Sequence, residues 1–129
     1  ILPITLTAAA AAAILNIWLL LRIGRIRQAE KISVGDEDNE PLIRRMRAQA
    51  NFVESTPFVL ILIAVIELAG KGEPWLAYVA GLYILARVAH AFGMDGGSLA
   101  LGRMIGTIVS MLTLIGLAIV AVLVSVGIL

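Results

Sequence analysis

Arg44-Arg45-Met46-Arg47-Ala48-Gln49-Ala50-Asn51-Phe52-Val53-Glu54-Ser55-Thr56-Pro57 carries basic, amide and acidic side chains straight into an apolar segment with the composition of a membrane span. At helical spacing Arg44, Arg47, Asn51 and Glu54 stand at i, i+3, i+7 and i+10, so the four share one stripe. Lipid does not tolerate such a stripe. Ionisable groups within a spanning segment face a bundle interior or a wet cavity, and the first reading of them is a functional site.

Outward from this stretch, the chain is membrane material. Of 129 residues, 60% are hydrophobic and 15% charged, with a mean hydropathy of +1.01, which sets aside an ordinary water-soluble domain. Ile1 to Leu21 and Met104 to Leu129 carry no formal charge, and each supplies the roughly 20 apolar residues that cross a bilayer. The first run has no basic n-region and leads into arginines, unlike a signal peptide. Two less uniform spans lie between, at about 42–69 and 74–93. The first of these is uncharged only from Ser55 to Ile66, between Glu54 and Glu67; the second is uncharged from Trp75 to Ala86 and then meets Arg87 and His90. Pro57 removes a backbone hydrogen bond inside its helix and is expected to bend it. Gly70-Lys71-Gly72-Glu73-Pro74 reads as a tight turn. The expected architecture is all-α: a single membrane domain of four transmembrane helices at about 1–27, 42–69, 74–93 and 101–128.

Seven of the ten Lys and Arg residues fall between Arg22 and Arg47, and Arg87 and Arg103 flank the last connection. By the positive-inside rule the first and third connections are cytoplasmic, and both termini lie on the other side. Cysteine is absent, so any sulfur chemistry uses a sulfur carried by a ligand. The acidic stretch Ser33 to Pro41 is not an EF-hand, because Arg47 stands where the bidentate Glu belongs and the central Gly is missing; it reads as a solvated loop, and no metal site is expected.

The string from Arg47 to Pro57 resembles the R-A-x-x-N-x-x-E-x-x-P signature in the second helix of the MAPEG family, membrane-associated proteins in eicosanoid and glutathione metabolism. An arginine-rich end to the first helix, the Gly35-Asp36 loop and the Arg87-x-x-His90 element follow the same pattern in the same order, and the chain is most similar to short bacterial members. The resemblance implies a homotrimer of four-helix subunits that binds glutathione, as co-substrate, at each subunit interface. Carried over by position, Arg47, Gln49, Asn51 and Glu54 belong to the glutathione-holding set, together with Arg44 and with Arg22 or Arg25. His90 and Arg103 come from the other side of the interface, and Arg103 is the expected thiolate-stabilising residue. Lipophilic substrates and membrane lipids complete the expected partners; nucleic acid is not among them.

Two departures from the pattern bear on specificity. Ser55 stands where many members have a tyrosine after the signature Glu, and tyrosines in the third helix align with His90 or Met94. The missing hydroxyl donors point away from leukotriene or prostaglandin synthesis and towards a general glutathione transferase or peroxidase acting on lipophilic electrophiles or hydroperoxides. Two other classes stay open: a non-catalytic lipid-binding or regulatory relative, and a small four-helix transporter. Against the transporter, Ile1 to Leu21 contains no acid, and its only strongly polar side chain is Asn16. Blander roles are available too. Arg45 lies off the stripe and suits the membrane edge, and Arg87 is a possible partner for Glu54 or Glu67. Gly102, Gly106 and Gly116 suit close helix approach.

Overall fold

A computed structural model describes residues 1–129. Pro3–Glu30 (α1) begins on Pro3, whose missing N–H and fixed φ suit the first helical turn, and ends where Lys31 adopts the left-handed conformation at φ 57°. Glu40–Leu68 (α2) starts two residues before the expected boundary, because the Asn39 side chain accepts a hydrogen bond from the Leu42 N–H at 3.0 Å and caps the helix. Pro57 does not divide it; α2 runs through this exposed proline as one element. Pro74–Met94 (α3) follows the glycine turn, and a one-turn 3-10 helix, Gly97–Leu99, leads into Leu101–Ser125 (α4). All four helices are long and apolar enough to cross a membrane. The protein is an all-α membrane protein with a four-transmembrane-helix bundle.

Helix lengths set which groups lie deep. The 28 and 29 residues of α1 and α2 correspond to about 42–44 Å, whereas the 21 of α3 give about 32 Å, close to one hydrocarbon core. The start of α1 is level with the end of α2, since Glu67 accepts from the Ile4 and Thr5 backbone N–H groups at 2.9 and 2.8 Å and from the Thr5 hydroxyl at 2.8 Å. At the other end Arg22 is level with Asp95, just past α3. The surplus length of α1 and α2 therefore projects beyond α3 at the α1–α2 loop, and takes Arg25, Arg27 and Glu40 with it.

The core divides along the same axis. Towards the α2–α3 turn it is Ala8, Val59, Ile63, Ile66, Leu76, Ala80, Tyr83 and Leu117; towards the α1–α2 loop it is Ala12, Leu15, Leu19, Ala48, Phe52 and Ala91. The most extensive helix pairing is α3 with α4. Glycine makes it possible: a Cβ on Gly93 or Gly102 would overlap the opposing backbone, and one on Gly106 would lie 2.7 Å from the Ala86 carbonyl oxygen. Gly116, expected in the same role, borders open space within the chain, and Gly93 takes its place in the contact.

Candidate functional site

Polar side chains form three layers between the α1–α2 loop and the middle of the bundle. At the rim, Arg22 is buried with its guanidinium beside the adjoining rings of Trp18 and Phe92, 5.0 and 5.4 Å from their centroids. It pairs with Asp95 and donates to the Ala91 carbonyl at 3.4 Å. Arg45 donates to the Arg22 carbonyl at 2.7 Å, and Arg44 donates to the Met94 carbonyl at 3.2 Å while pairing with Glu40 at 3.2 Å. These contacts tie the ends of α1, α2 and α3 together. Arg22, expected from the sequence to reach glutathione, pairs with Asp95 within its own chain, as Arg44 pairs with Glu40.

One layer deeper, Arg87 crosses the bundle. Its Nη2 donates to Asn51 Oδ1 at 2.6 Å and its Nη1 to Ser110 Oγ at 2.9 Å, which links α2, α3 and α4. The side chain is 2% exposed and pairs with no carboxylate, neither the Glu54 nor the Glu67 considered from the sequence. Glu67 is the far-end cap on α1. Arg44 precedes Asn51 by seven residues and Arg103 precedes Ser110 by seven, so both arginines lie about 10 Å nearer the rim than the Arg87 layer. His90 is buried against α4 at Gly106, with its Nδ1 lacking a partner.

In the third layer, the Tyr83 hydroxyl is 2.9 Å from both Ser55 Oγ and Thr56 Oγ1. Ser55 and Tyr83, from adjacent helices, place two hydroxyls beside the position of the tyrosine missing after Glu54.

On the outside of α2, Arg47 and Glu54 are exposed and 4.0 Å apart, a turn either side of half-buried Asn51. Arg44, Arg47, Asn51 and Glu54 thus keep the single stripe that their spacing requires. Gln49 does not join it: at about 100° per residue it lies roughly opposite the stripe, and its Nε2 donates to Asn16 Oδ1 on α1 at 3.2 Å. Arg25 and Arg103 are exposed, and their guanidinium groups make no hydrogen bond or ion pair within the chain. Local sequence does not single out the partners Arg87 takes, nor Asp95, Ser110 and Trp18 as site residues. The only signal was the helical spacing of Tyr83, Arg87 and His90, which places them along one side of α3.

A donor-rich stripe of two arginines and a carboxamide, followed by one carboxylate, matches a ligand with a carboxylate at one end and, at the other, an ammonium with a second carboxylate beside it. Known proteins agree with the membrane reading. The family model described as MAPEG family matches residues 5–123. The chain is 29% identical over 86 residues to inner membrane protein YecN of Escherichia coli strain K12, and equally to that of Escherichia coli O6:H1 strain CFT073. Each match covers 63% of this chain and 65% of the relative, so the chain spans about two thirds of the length of these relatives. It belongs to the MAPEG family.

Proposed function

We propose that this MAPEG-family chain is a glutathione-dependent transferase or peroxidase of a bacterial inner membrane, assembled as a homotrimer with both termini on the non-cytoplasmic side. One observation carries the reading: Arg47 and Glu54 are exposed on the outer face of α2 while Glu54 lies deeper than the buried Arg87 layer. The Arg44–Glu54 stripe runs about 15 Å along the helix, which accommodates an extended tripeptide of roughly 10 Å. Neighbouring copies cover the stripe and close a polar pocket over it. Inner-membrane residence is supported by the apolar helices and by the names of the relatives.

In this pocket Arg44 and Arg47 hold the ligand carboxylates through planar, permanently charged forks, and Glu54 takes the ammonium. The ligand ammonium replaces Arg47 as the partner of Glu54, which frees the guanidinium for a carboxylate. Arg103, free and exposed at the head of α4, faces the thiol from a neighbouring subunit. Lowering a thiol pKa from about 8.5 to about 6.5 takes roughly 2.7 kcal/mol of preference for the thiolate. A cation about 4 Å away supplies on the order of 4 kcal/mol at an effective dielectric near 20, before desolvation losses. The thiolate then displaces a leaving group from an electrophilic carbon. With a hydroperoxide it takes the terminal oxygen and releases the alcohol, and a second glutathione yields the disulfide and water. Substrates enter by partition from the bilayer.

Calorimetric titration of glutathione into detergent-solubilised protein tests the site, and native mass spectrometry tests the assembly. Binding with three sites per trimer is expected. No binding, or a stable monomer, overturns the proposal.

A further inference from the structure

We infer that Arg87 is a positioning residue that fixes which end of the Asn51 carboxamide faces the ligand, making Asn51 a donor-only contact; this rests on the α2 stripe being the glutathione site. The Arg87 guanidinium has N–H donors and no acceptor, so the atom 2.6 Å from its Nη2 must be the Asn51 oxygen. Ser110 Oγ, 2.9 Å from Nη1, and tight burial hold the guanidinium in place. With Oδ1 occupied, the Nδ2 hydrogens are what Asn51 presents on the stripe, between Arg47 and Glu54.

A specificity rule follows. The stripe reads donor, donor, donor and then acceptor from Arg44 to Glu54, so a ligand must place a carbonyl or carboxylate oxygen opposite Asn51. An ammonium or amide N–H at that point leaves two donors facing each other and is rejected, because an unpaired buried polar group loses its hydration without replacement. Arg87 also lacks a carboxylate partner. The Asn51 oxygen therefore provides a partial negative charge where a full one would pair more strongly, and an aspartate there would lose the ligand-facing donors.

Asn51→Asp tests both halves. Without ligand, its new carboxylate pairs with Arg87, so the thermal midpoint rises, and the rise disappears in an Arg87→Gln background. Titrated with glutathione, Asn51→Asp loses affinity by about 100-fold, more than the roughly 10-fold loss of Asn51→Ala, because an acceptor and a negative charge replace the donors. Arg87→Gln, which lets the carboxamide turn over, weakens binding; Arg87→Lys restores most of it, and Arg87→Gln adds nothing once Asn51 is alanine. Glutathione affinity retained or improved in Asn51→Asp overturns the inference, as does a thermal gain independent of Arg87. Failure of the wild type to bind glutathione overturns the site reading and the specificity rule with it, while the thermal arm still decides the Arg87–Asn51 pairing on its own.

Discussion

The half of the bundle nearer the α2–α3 turn and the half nearer the α1–α2 loop contain the same four helices, yet they are held in different ways. The first is aliphatic packing, with Val59, Ile63, Ile66, Leu76 and Leu117 buried and one polar clasp, Glu67 over the start of α1. The second holds Arg22, Asp95, Arg87, Asn51 and Ser110 in directional bonds, and Tyr83, hydrogen-bonded to Ser55 and Thr56, lies where the two halves meet. Apolar packing gains little specificity in lipid, where the surroundings are as apolar as the core; hydrogen bonds fix distances and leave defined atoms free for a ligand. The difference suggests a division of labour. The apolar half supplies close packing, and the polar half fixes the registry of the helices and presents an outward polar stripe at a fixed height.

The largest effect expected from breaking this division comes at the glycine contact between α3 and α4 inside the polar half. Gly106→Val drives its Cβ towards the Ala86 carbonyl and the His90 side chain, so α3 and α4 must part and the Arg87–Ser110 bond is lost. A destabilisation of about 3 kcal/mol is expected, at the upper end for overpacking because backbone rather than a flexible side chain blocks the way. Chemical or thermal unfolding in detergent measures it, and Gly116→Val, facing open space, is the control expected to show little change.

The stripe should respond in the opposite sense, with binding lost and stability kept. Arg47→Ala and Glu54→Gln each remove a charged partner from an exposed, 4.0 Å pair whose own contribution to stability is small. Each is expected to weaken glutathione binding by about 1.5–3 kcal/mol, the range for a charge-assisted hydrogen bond. Titration calorimetry on folded, correctly assembled variants decides. Unchanged affinity would return both residues to a purely structural role and erase the functional contrast between the halves.

Arg103 separates binding from chemistry within the same half. Its removal should spare glutathione affinity and raise the pKa of the bound thiol by about one to two units, at roughly 1.4 kcal/mol per unit. Thiolate absorbance near 240 nm, followed against pH at saturating glutathione, gives the midpoint. The sign is direct: a cation favours the thiolate, so without it ionisation needs higher pH. Arg103→Lys should keep part of the effect, because charge matters more than fork geometry at a single sulfur. A midpoint unmoved by Arg103→Ala would leave exposed Arg25 as the next cation to test.

Helix number, the order of spans and the existence of a single polar stripe on α2 were legible in the sequence because each depends on a local period: about 20 apolar residues for a span, and i, i+3, i+7 and i+10 for the stripe; that Arg47 and Glu54 face outward was not. The pairings were not. Arg22 with Asp95, Arg87 with Asn51 and Ser110, and Glu67 with Ile4 and Thr5 each join residues far apart in sequence, and nothing local selects one partner from several. Glu54 and Glu67 were reasonable partners for Arg87 by charge. Geometry gave it an amide and a hydroxyl instead, because Glu54 points out from α2 and Glu67 caps α1 at the opposite end.

Gln49 supplies the smallest and most discriminating test, since family position assigns it to glutathione while the structure turns it towards α1. Its Nε2 donates to Asn16 Oδ1 at 3.2 Å, a bond between helices of the kind worth about 0.6 kcal/mol on average in a membrane protein. Gln49→Leu should therefore lower stability by about that amount and change glutathione affinity by less than about twofold, or roughly 0.4 kcal/mol. A double-mutant cycle with Asn16→Leu isolates the contact: if the two side chains serve each other, the second substitution costs less once the first is made. If Gln49→Leu instead weakens binding tenfold and the two substitutions add without coupling, Gln49 faces the ligand. The polar half would then offer two faces of α2 to glutathione where the structure offers one, and the division between outward stripe and inward fastening would fail at the helix on which it rests.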